Sequence, residues 1–543
     1  MHLSVALWAC GALLAVLLTW QQRKSWRLIW QLNGWRGVVQ QPLLWILLCL
    51  NLHPNSILEK VTQYRVYFQS PMAVLVGTRV LVYIDDPAGM ECILNAPECL
   101  DKTFLQDGFF VRRGLLHARG QRWKLRRKQL NPAFSHNIVA SFFDVFNSVG
   151  NQIIEQFLSQ PNLHGKGVKF TDAEDLLSRA VLEVSCLTIM GTPTNFTQID
   201  DAHIAHSYKR LLEISAVRVV KPWLQIRLLH RLLAPELYEE SRKCCKLLAD
   251  FVGEIVRTKH RNWRLRDAVG GETPGEDSSA GWQRRIFIEQ IFQLAANGEM
   301  TLEEIMHEAQ SMVLVSFETV SNSIMLALLC LATNKGDCQR RLLAEIRAVV
   351  PDSGHVGLEQ LQQLRYLDAF VSESLRLLAT VPMNLRHVSR DFQLTGRDAI
   401  VPQNSIIVLD TFNMQRDERW WGPTAKQFDP QRFLDHEEQS KGHDNPGSGS
   451  GSGSGSGEPR RQRDRRHSYS FLPFSNGLRS CIGRRYGLFI MKVFLVKLIS
   501  NFDFQSDFEL EKLQFVENIS LKFKNADDIL LAIQPHKQSK ESL

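Results

Sequence analysis

The chain of 543 residues is 44% hydrophobic and 22% charged, with a formal net charge of +7 at pH 7; this is the balance of a globular chain able to bury a large core. The positive charge is mild and the arginines are scattered rather than laid along one stripe, so no nucleic-acid partner is expected. Ten cysteines in a chain this long exclude a disulfide framework; Cys186, Cys244, Cys245 and Cys330 sit in apolar helical contexts as small core hydrophobes, which points to a reducing, cytosol-facing compartment.

The first element is the uncharged run LSVALWACGALLAVLLTW, Leu3–Trp20, which meets the ~18-residue threshold for a membrane-spanning helix. Arg23, Lys24 and Arg27 follow it, and the positive-inside rule then places the rest of the chain in the cytosol. Residues 1–30 are therefore expected to be an uncleaved signal anchor with a basic flank. Leu43–Leu50 is apolar but too short to span. Residues near 54–86 read as short strands, because RVYFQSPMAVLVGTRVLVYIDDP is rich in β-branched and aromatic residues broken by Pro and Gly. Amphipathic helical patterns follow, as in DAEDLLSRAVLEVSCLTIMG and YEESRKCCKLLADFVGEIVRTKHRNWRL, with a polar loop at Ala268–Gly281. The TLEE stretch is a capping box, with Thr301 as N-cap and Glu304 reaching back. It opens a helix expected to run to about Thr333. Short strands return in HVSRDFQLTGRDAIVPQNSIIVLD. A Gly-Ser tract followed by an Arg-rich run, at about 437–467, reads as a disordered insertion into one domain covering 31–543. The fold class expected is mainly α with a smaller β lobe.

The stretch FLPFSNGLRSCIG, Phe471–Gly483, sets Phe474, Gly477, Arg479, Cys481 and Gly483 in the order F-x-x-G-x-R-x-C-x-G. Glycines allow a sharp turn and a close approach to a flat ligand. A helix starting near Ile482 would present N–H groups to the sulfur and lower the thiol pKa, and Arg479 could reach an acidic group on the same ligand. ESLR places Glu373 and Arg376 three apart on one helix face, and FDPQRF adds Arg432. GQRWKLRRKQLNPAFS sets Trp123 and Arg127 at i, i+4, and VPMNLRHVSRD carries Arg386. Singly, Trp123 would be a core aromatic, Arg127 a solvated charge, and Glu373 with Arg376 a surface ion pair of little consequence.

Together, and in this order, these motifs resemble the cytochrome P450 family over almost the whole chain after the anchor. The resemblance implies the cytochrome P450 fold, with Cys481 as axial thiolate ligand of a haem b iron. It implies that Trp123, Arg127 and Arg386 contact the haem propionates, that Phe474 and Arg479 belong to the haem-binding loop, and that Glu373, Arg376 and Arg432 form a structural lock. VSFETV in the long helix matches the distal motif, with the acid–alcohol pair Glu318–Thr319 as the proton-delivering residues. Ser316 replaces the usual glycine and Val320 the usual hydroxyl. RRKQLNPAFS and MQRDERWWGPTAKQFDPQRF resemble the family-4 clan of fatty-acid hydroxylases and insect enzymes. The glutamate through which many of its members esterify haem is Val315 here, so no such ester is expected. The resemblance further implies monooxygenation of a small lipophilic substrate at the endoplasmic reticulum membrane. Electrons would come from NADPH through NADPH–cytochrome P450 reductase, with cytochrome b5 as a second partner. The alternatives are an enzyme of the same fold that rearranges peroxides or dehydrates without reductase, and a catalytically lapsed haem protein that binds a lipophilic ligand.

Overall fold

The computed structural model describes residues 39–40, 54–65, 70–76, 79–108, 110, 113–160, 167–193, 202–268, 286–334, 337–351, 354–394, 399–434 and 467–536. The anchor at 1–30, the loop after Ala268 and the insertion after residue 436 lie outside these residues, apart from His467 at the insertion's end. In chain order, the elements that position the site begin with β1 (Val39–Gln40), α1 (Pro54–Tyr64), β2 (Met72–Val76), β3 (Arg79–Ile84) and α2 (Pro87–Asn95). Next come α3 (Gly120–Leu130), α4 (Phe143–Leu158), α5 (Phe170–Ser185), α6 (Ala202–Val220), α7 (Pro235–Ala268), α8 (Leu302–Thr333) and α9 (Arg365–Leu377). The last are β4 (Met383–His387), β5 (Ile406–Asp410), α10 (Arg484–Asn501), β6 (Phe515–Asn518) and β7 (Ser520–Phe523).

The chain is mainly helical with smaller sheets, as its sequence pattern suggests. The strand expectation fails at its start: residues 54–64 form α1, not a strand. Proline occupies the first helical position, where its missing N–H costs nothing. Leu58, 1% exposed, sits on the buried side where α1 packs on β6. The β-branched run does pair as β2 and β3, with Val74 opposite Leu81. The sheet is completed from far along the chain, in the order β1-β2-β3-β5-β4. Val82 pairs with Ile407 in parallel and Leu385 with Val408 antiparallel. The β lobe thus joins the N-terminal strands to the segment that carries Arg386.

Helix α8 opens on the expected capping box: the Thr301 hydroxyl accepts the Glu304 N–H at 3.2 Å and the Glu304 carboxylate accepts the Thr301 N–H at 3.0 Å. Its 32 residues span about 48 Å. Ile324 to Ala332 are buried without a break, the pattern of a helix that runs through a core. By length and composition α8 could cross a membrane, yet most of its apolar window is covered by protein. It packs on α5 and α10; of the three helices, α8 and α10 line the site.

Candidate functional site

The loop before α10 is built by its glycines and turns. Gly477 has φ +69°, and a Cβ there would sit 2.2 Å from the Leu94 carbonyl oxygen, so only glycine lets the loop lie against α2. The Ser475 N–H donates to the Leu472 carbonyl at 3.1 Å and the Cys481 N–H to the Phe474 carbonyl at 3.0 Å. The result is a tight loop that presents Cys481 to a cavity of about 1380 Å³. Among the described cysteines, Cys481 alone lines this cavity. Phe474, Arg479, Trp123, Arg127, Glu318 and Thr319 line it too. The opposite wall is thus α8, and the chamber runs between the thiol and the distal motif.

The thiol does not behave as its helix position suggests. The helix begins at Arg484 rather than Ile482, so Cys481 stands before its first turn. Burial pushes the thiol above its ordinary range, while the Gly483 N–H and the Arg127, Arg484 and Lys102 cations pull it down without prevailing. Cys481 is accessible to the cavity yet surrounded by protein, and loss of bulk water outweighs a single N–H donor. A metal ion at the sulfur would deprotonate it outright.

Four cations cluster at this end of the cavity: Lys102 and Arg127 act on the sulfur, and Arg386 and Arg479 act on Lys102, with Arg386 outside the cavity lining. Arg386, 2% exposed, and Arg479 are brought down to about 10 and about 9 by burial. Arg386 and Arg479 also push Lys102 down, after the larger effect of burial. Arg127 is lowered by burial and raised by Cys481. None of the four forms an ion pair with a carboxylate among the described residues. Asp101, whose field reaches Arg479, accepts the Gly120 N–H at 2.8 Å. A buried cation cluster without anions is costly; a ligand carrying two carboxylates beside a central metal fits this donor set, and haem is such a ligand. Arg127 donates to the Ser480 carbonyl at 2.8 Å, which ties α3 to the cysteine loop. Arg479 differs from expectation: its guanidinium donates to the carbonyls of Leu100, Leu116 and Ala118 at 3.4, 3.2 and 2.7 Å. It also lies 5.0 Å over the Trp123 ring. The segment 115–118 wraps around it, so it shapes the wall while contributing charge. Lys102 escaped the sequence reading: LDKTF has neither periodicity nor motif, and its place is set by the chain turning between two short helical turns.

On α8, Glu318 and Thr319 share the cavity wall but not a hydrogen bond. Thr319 Oγ1 donates to the Val315 carbonyl at 2.8 Å. Glu318 Oε1 accepts from Ser520 Oγ at 2.7 Å and pairs with Lys522 Nζ at 3.0 Å, and Lys522 also pairs with Glu174. Burial acts to raise the Glu318 carboxyl, but Lys522 and Ser520 outweigh it and hold it below the usual carboxylate range. The stability from this pair is therefore present at neutral pH and is lost as pH falls through the depressed pKa. Lys522→Met is expected to lower the thermal midpoint by more than the Lys522→Met/Glu318→Gln pair. The single change strands a buried charge, at about 3–5 kcal/mol. Equal midpoints in a melting experiment would show the two groups to be uncoupled. The one proton of Ser316 Oγ has two acceptors within reach, Ser185 Oγ at 2.8 Å and the Val313 carbonyl at 3.1 Å, the second being the bond back to the preceding turn that serine allows. Val320 packs 3.5 Å from where a Cβ on Gly487 of α10 would lie, so its methyls fill the helix junction.

Glu373, Arg376 and Arg432 come together as a buried lock, not as a surface pair. Glu373 and Arg376 are both 0% exposed and joined by two bonds of 2.7 and 2.8 Å. Arg376 also donates to the carbonyls of Gln415, Ala425 and Gln427 at 2.6, 2.6 and 3.1 Å. Arg432 reaches Glu373 at 3.4 Å and the Thr424 carbonyl at 2.9 Å. The guanidinium forks thus tie α9 to the irregular segment 415–427, which leads into the cysteine loop: the Leu472 N–H donates to Gln415 Oε1 at 2.8 Å.

The comparisons with known proteins agree with this arrangement. The family model described as cytochrome P450 matches residues 38–527. The chain is similar to the probable cytochrome P450 318a1 of Drosophila melanogaster, 88% identical over 543 residues, covering 99% of this chain and 100% of that protein. It is similar to the probable cytochrome P450 313b1 of the same species, 30% identical over 520 residues and covering 93% and 94%. To cytochrome P450 4V2 of Homo sapiens it is 25% identical over 492 residues, covering 87% and 86%. A thiol and a cluster of cations facing a helix with an acid and an alcohol, in a chain matched over nearly its full length, lead to one conclusion: this chain belongs to the cytochrome P450 family, the haem-thiolate monooxygenases.

Proposed function

We propose that the chain is a membrane-anchored monooxygenase of the endoplasmic reticulum that oxidises a small lipophilic substrate with electrons drawn from NADPH through NADPH–cytochrome P450 reductase, cytochrome b5 being a second donor. In this reading residues 1–30 are the anchor, 31–543 the catalytic domain, and 437–467 a solvated insertion. The observation that carries it is the single cavity lined by Cys481 on one side and Thr319 on the other, with an extended apolar wall that includes Leu115, Ile189, Leu212 and Val220.

Haem iron, when bound, activates dioxygen and supplies one of its atoms to a C–H bond while the other leaves as water. The chain does the rest. Cys481 Sγ would ligate the iron, with the Gly483 N–H directed at the sulfur. Lys102, Arg127 and Arg386 would hold the propionates, with Arg479 adding charge and Trp123 its indole. Val315 has no carboxyl to esterify the macrocycle. The Thr319 hydroxyl would carry a proton on the distal side, Glu318 as a carboxylate could only accept one and pass it on, and the apolar walls would exclude water from the substrate.

Membrane attachment has support beyond the anchor. The short helix Arg227–Leu233 exposes Leu228, Leu232 and Leu233, and Ile226 before it is exposed as well. With Arg227 and Arg231 alongside, this is the composition of a helix lying in a lipid interface. Arg484 and Arg485, exposed at the start of α10, suit an acidic electron donor close to Cys481. Reversing both to glutamate is expected to slow reductase-supported NADPH oxidation at low salt, with the difference shrinking as ionic strength rises. Unchanged rates at low salt would remove this face from the reading.

A second reading has one observation behind it. With Glu318 committed to Lys522 and Ser520, a lapsed protein that binds haem and a lipophilic ligand without turnover fits the same cavity. Oxygen and NADPH consumption in the presence of reductase separates the two: consumption above background identifies the enzyme, and none with a normal haem spectrum identifies the lapsed form.

A further inference from the structure

The main cavity has a neighbour across a shared pair of side chains. A second pocket of about 310 Å³ lies between α6, α7 and α8. It shares Leu212 and Leu314 with the main cavity, so these two side chains form the partition. Beyond them Phe110 and Leu248 line it together with Tyr208 and Ser215, and the far end carries His307, Gln310 and Arg113. His307, Gln310 and Leu314 follow one another at three and four residues on α8, so they line one face in that order. Leu314 stands next to the main cavity, and His307 lies furthest from it.

The polar end of this pocket is uncharged in effect. Arg113 is paired with Glu303 at 2.6 Å. Burial, joined by the Arg113 cation, holds the His307 imidazole below its ordinary range, so it is neutral at pH 7. His307 Nδ1 is buried with no hydrogen-bond partner among the described residues, and the Gln310 amide lies one turn along the same face. A neutral imidazole and an amide can donate to and accept from a hydroxyl or carbonyl, whereas a carboxylate would find no unmatched cation. Gln310 and Thr319 are nine residues apart on one helix, roughly 14 Å along it, so only an extended molecule reaches from one to the other.

We propose that this pocket holds the uncharged polar end, a hydroxyl or carbonyl, of an elongated lipophilic substrate whose hydrocarbon body passes the Leu212–Leu314 partition toward Cys481. The inference rests on the monooxygenase reading and names its substrate class. Buried polar groups in an apolar pocket set orientation and specificity, and the hydrogen bonds here would fix which end of the chain faces the thiol.

The test uses the full chain in membranes, carrying haem and showing the red-shifted carbon monoxide band. The oxidised protein is titrated with n-dodecanol, n-hexanol, dodecane and dodecanoate, and binding is read from the shift of the Soret band. Dodecanol is expected to bind about tenfold tighter than dodecane, the worth of a good net hydrogen bond, and hexanol is expected to lose that advantage because it cannot span the distance. His307→Leu/Gln310→Leu should bring dodecanol to the affinity that the same variant shows for dodecane, and His307→Gln should keep the preference. Equal affinity for dodecanol and dodecane in the unaltered protein overturns the proposal without recourse to any variant. So does a preference that survives the double substitution, or tighter binding of dodecanoate. Absence of the carbon monoxide band in the starting protein would instead overturn the haem-thiolate reading on which the proposal stands.

Discussion

Cys481→Ala is expected to abolish the red-shifted carbon monoxide band of the reduced protein and to bring NADPH-dependent oxygen consumption to background, while the fold survives. Among the described cysteines no other lines the cavity, so no second thiolate stands ready to take its place. Its side chain takes no part in the loop's backbone bonds, which run from the Cys481 N–H to Phe474 and from Ser475 to Leu472. The loss should therefore be one of ligation rather than of structure, and the thermal midpoint of the haem-free chain should hold. A band that kept its position in the alanine variant would place the iron ligand elsewhere and remove Cys481 from the site. Because burial alone pushes this thiol up, preparations lacking iron should react slowly with thiol reagents at neutral pH compared with a surface cysteine.

Arg376→Ala is expected to be the most destabilising single change in the helical core, at about 3–5 kcal/mol, the cost of leaving a buried carboxylate without its cation. Glu373 would lose both of its short bonds to Arg376, and the carbonyls of Gln415, Ala425 and Gln427 would lose their donor. Arg432, at 3.4 Å, is too far to replace a bidentate partner. Arg376→Lys should recover little, because an ammonium cannot serve a carboxylate and three carbonyls spread around a planar fork. Denaturant unfolding of the three proteins measures this directly, with haem content as a second readout, since segment 415–427 supports the loop that carries Cys481. A loss below about 1 kcal/mol for Arg376→Ala would mean that the three residues behave like a solvated pair and that the segment is held by packing instead.

Much of the architecture is written in short stretches of chain. The capping box at Thr301 and Glu304, the strand pair around residues 72–84 and the turn chemistry of the cysteine loop each depend on residues within a few positions of one another. Their local physics therefore survives in any tertiary setting compatible with it. The spacing of Trp123 and Arg127 likewise puts both on the cavity side of α3. The reading errs where local preference is weak. Residues 54–64 could be either element, and packing of Leu58 beneath β6 decides for helix.

The chemistry of the site is divided in the same way. By itself the sequence determined which groups are present: a cysteine in a glycine-bounded loop, an acid next to an alcohol, and an acid with two arginines in the order that identifies the family. Tertiary structure alone decided what those groups experience. Glu318 meets Ser520 across 202 residues, Arg376 meets carbonyls 39 to 51 residues away, and Lys102 joins Arg386 and Arg479 from an unpatterned segment. The reason is physical: propensity and capping act over one turn of chain, whereas desolvation and charge pairing depend on every element that closes around a group.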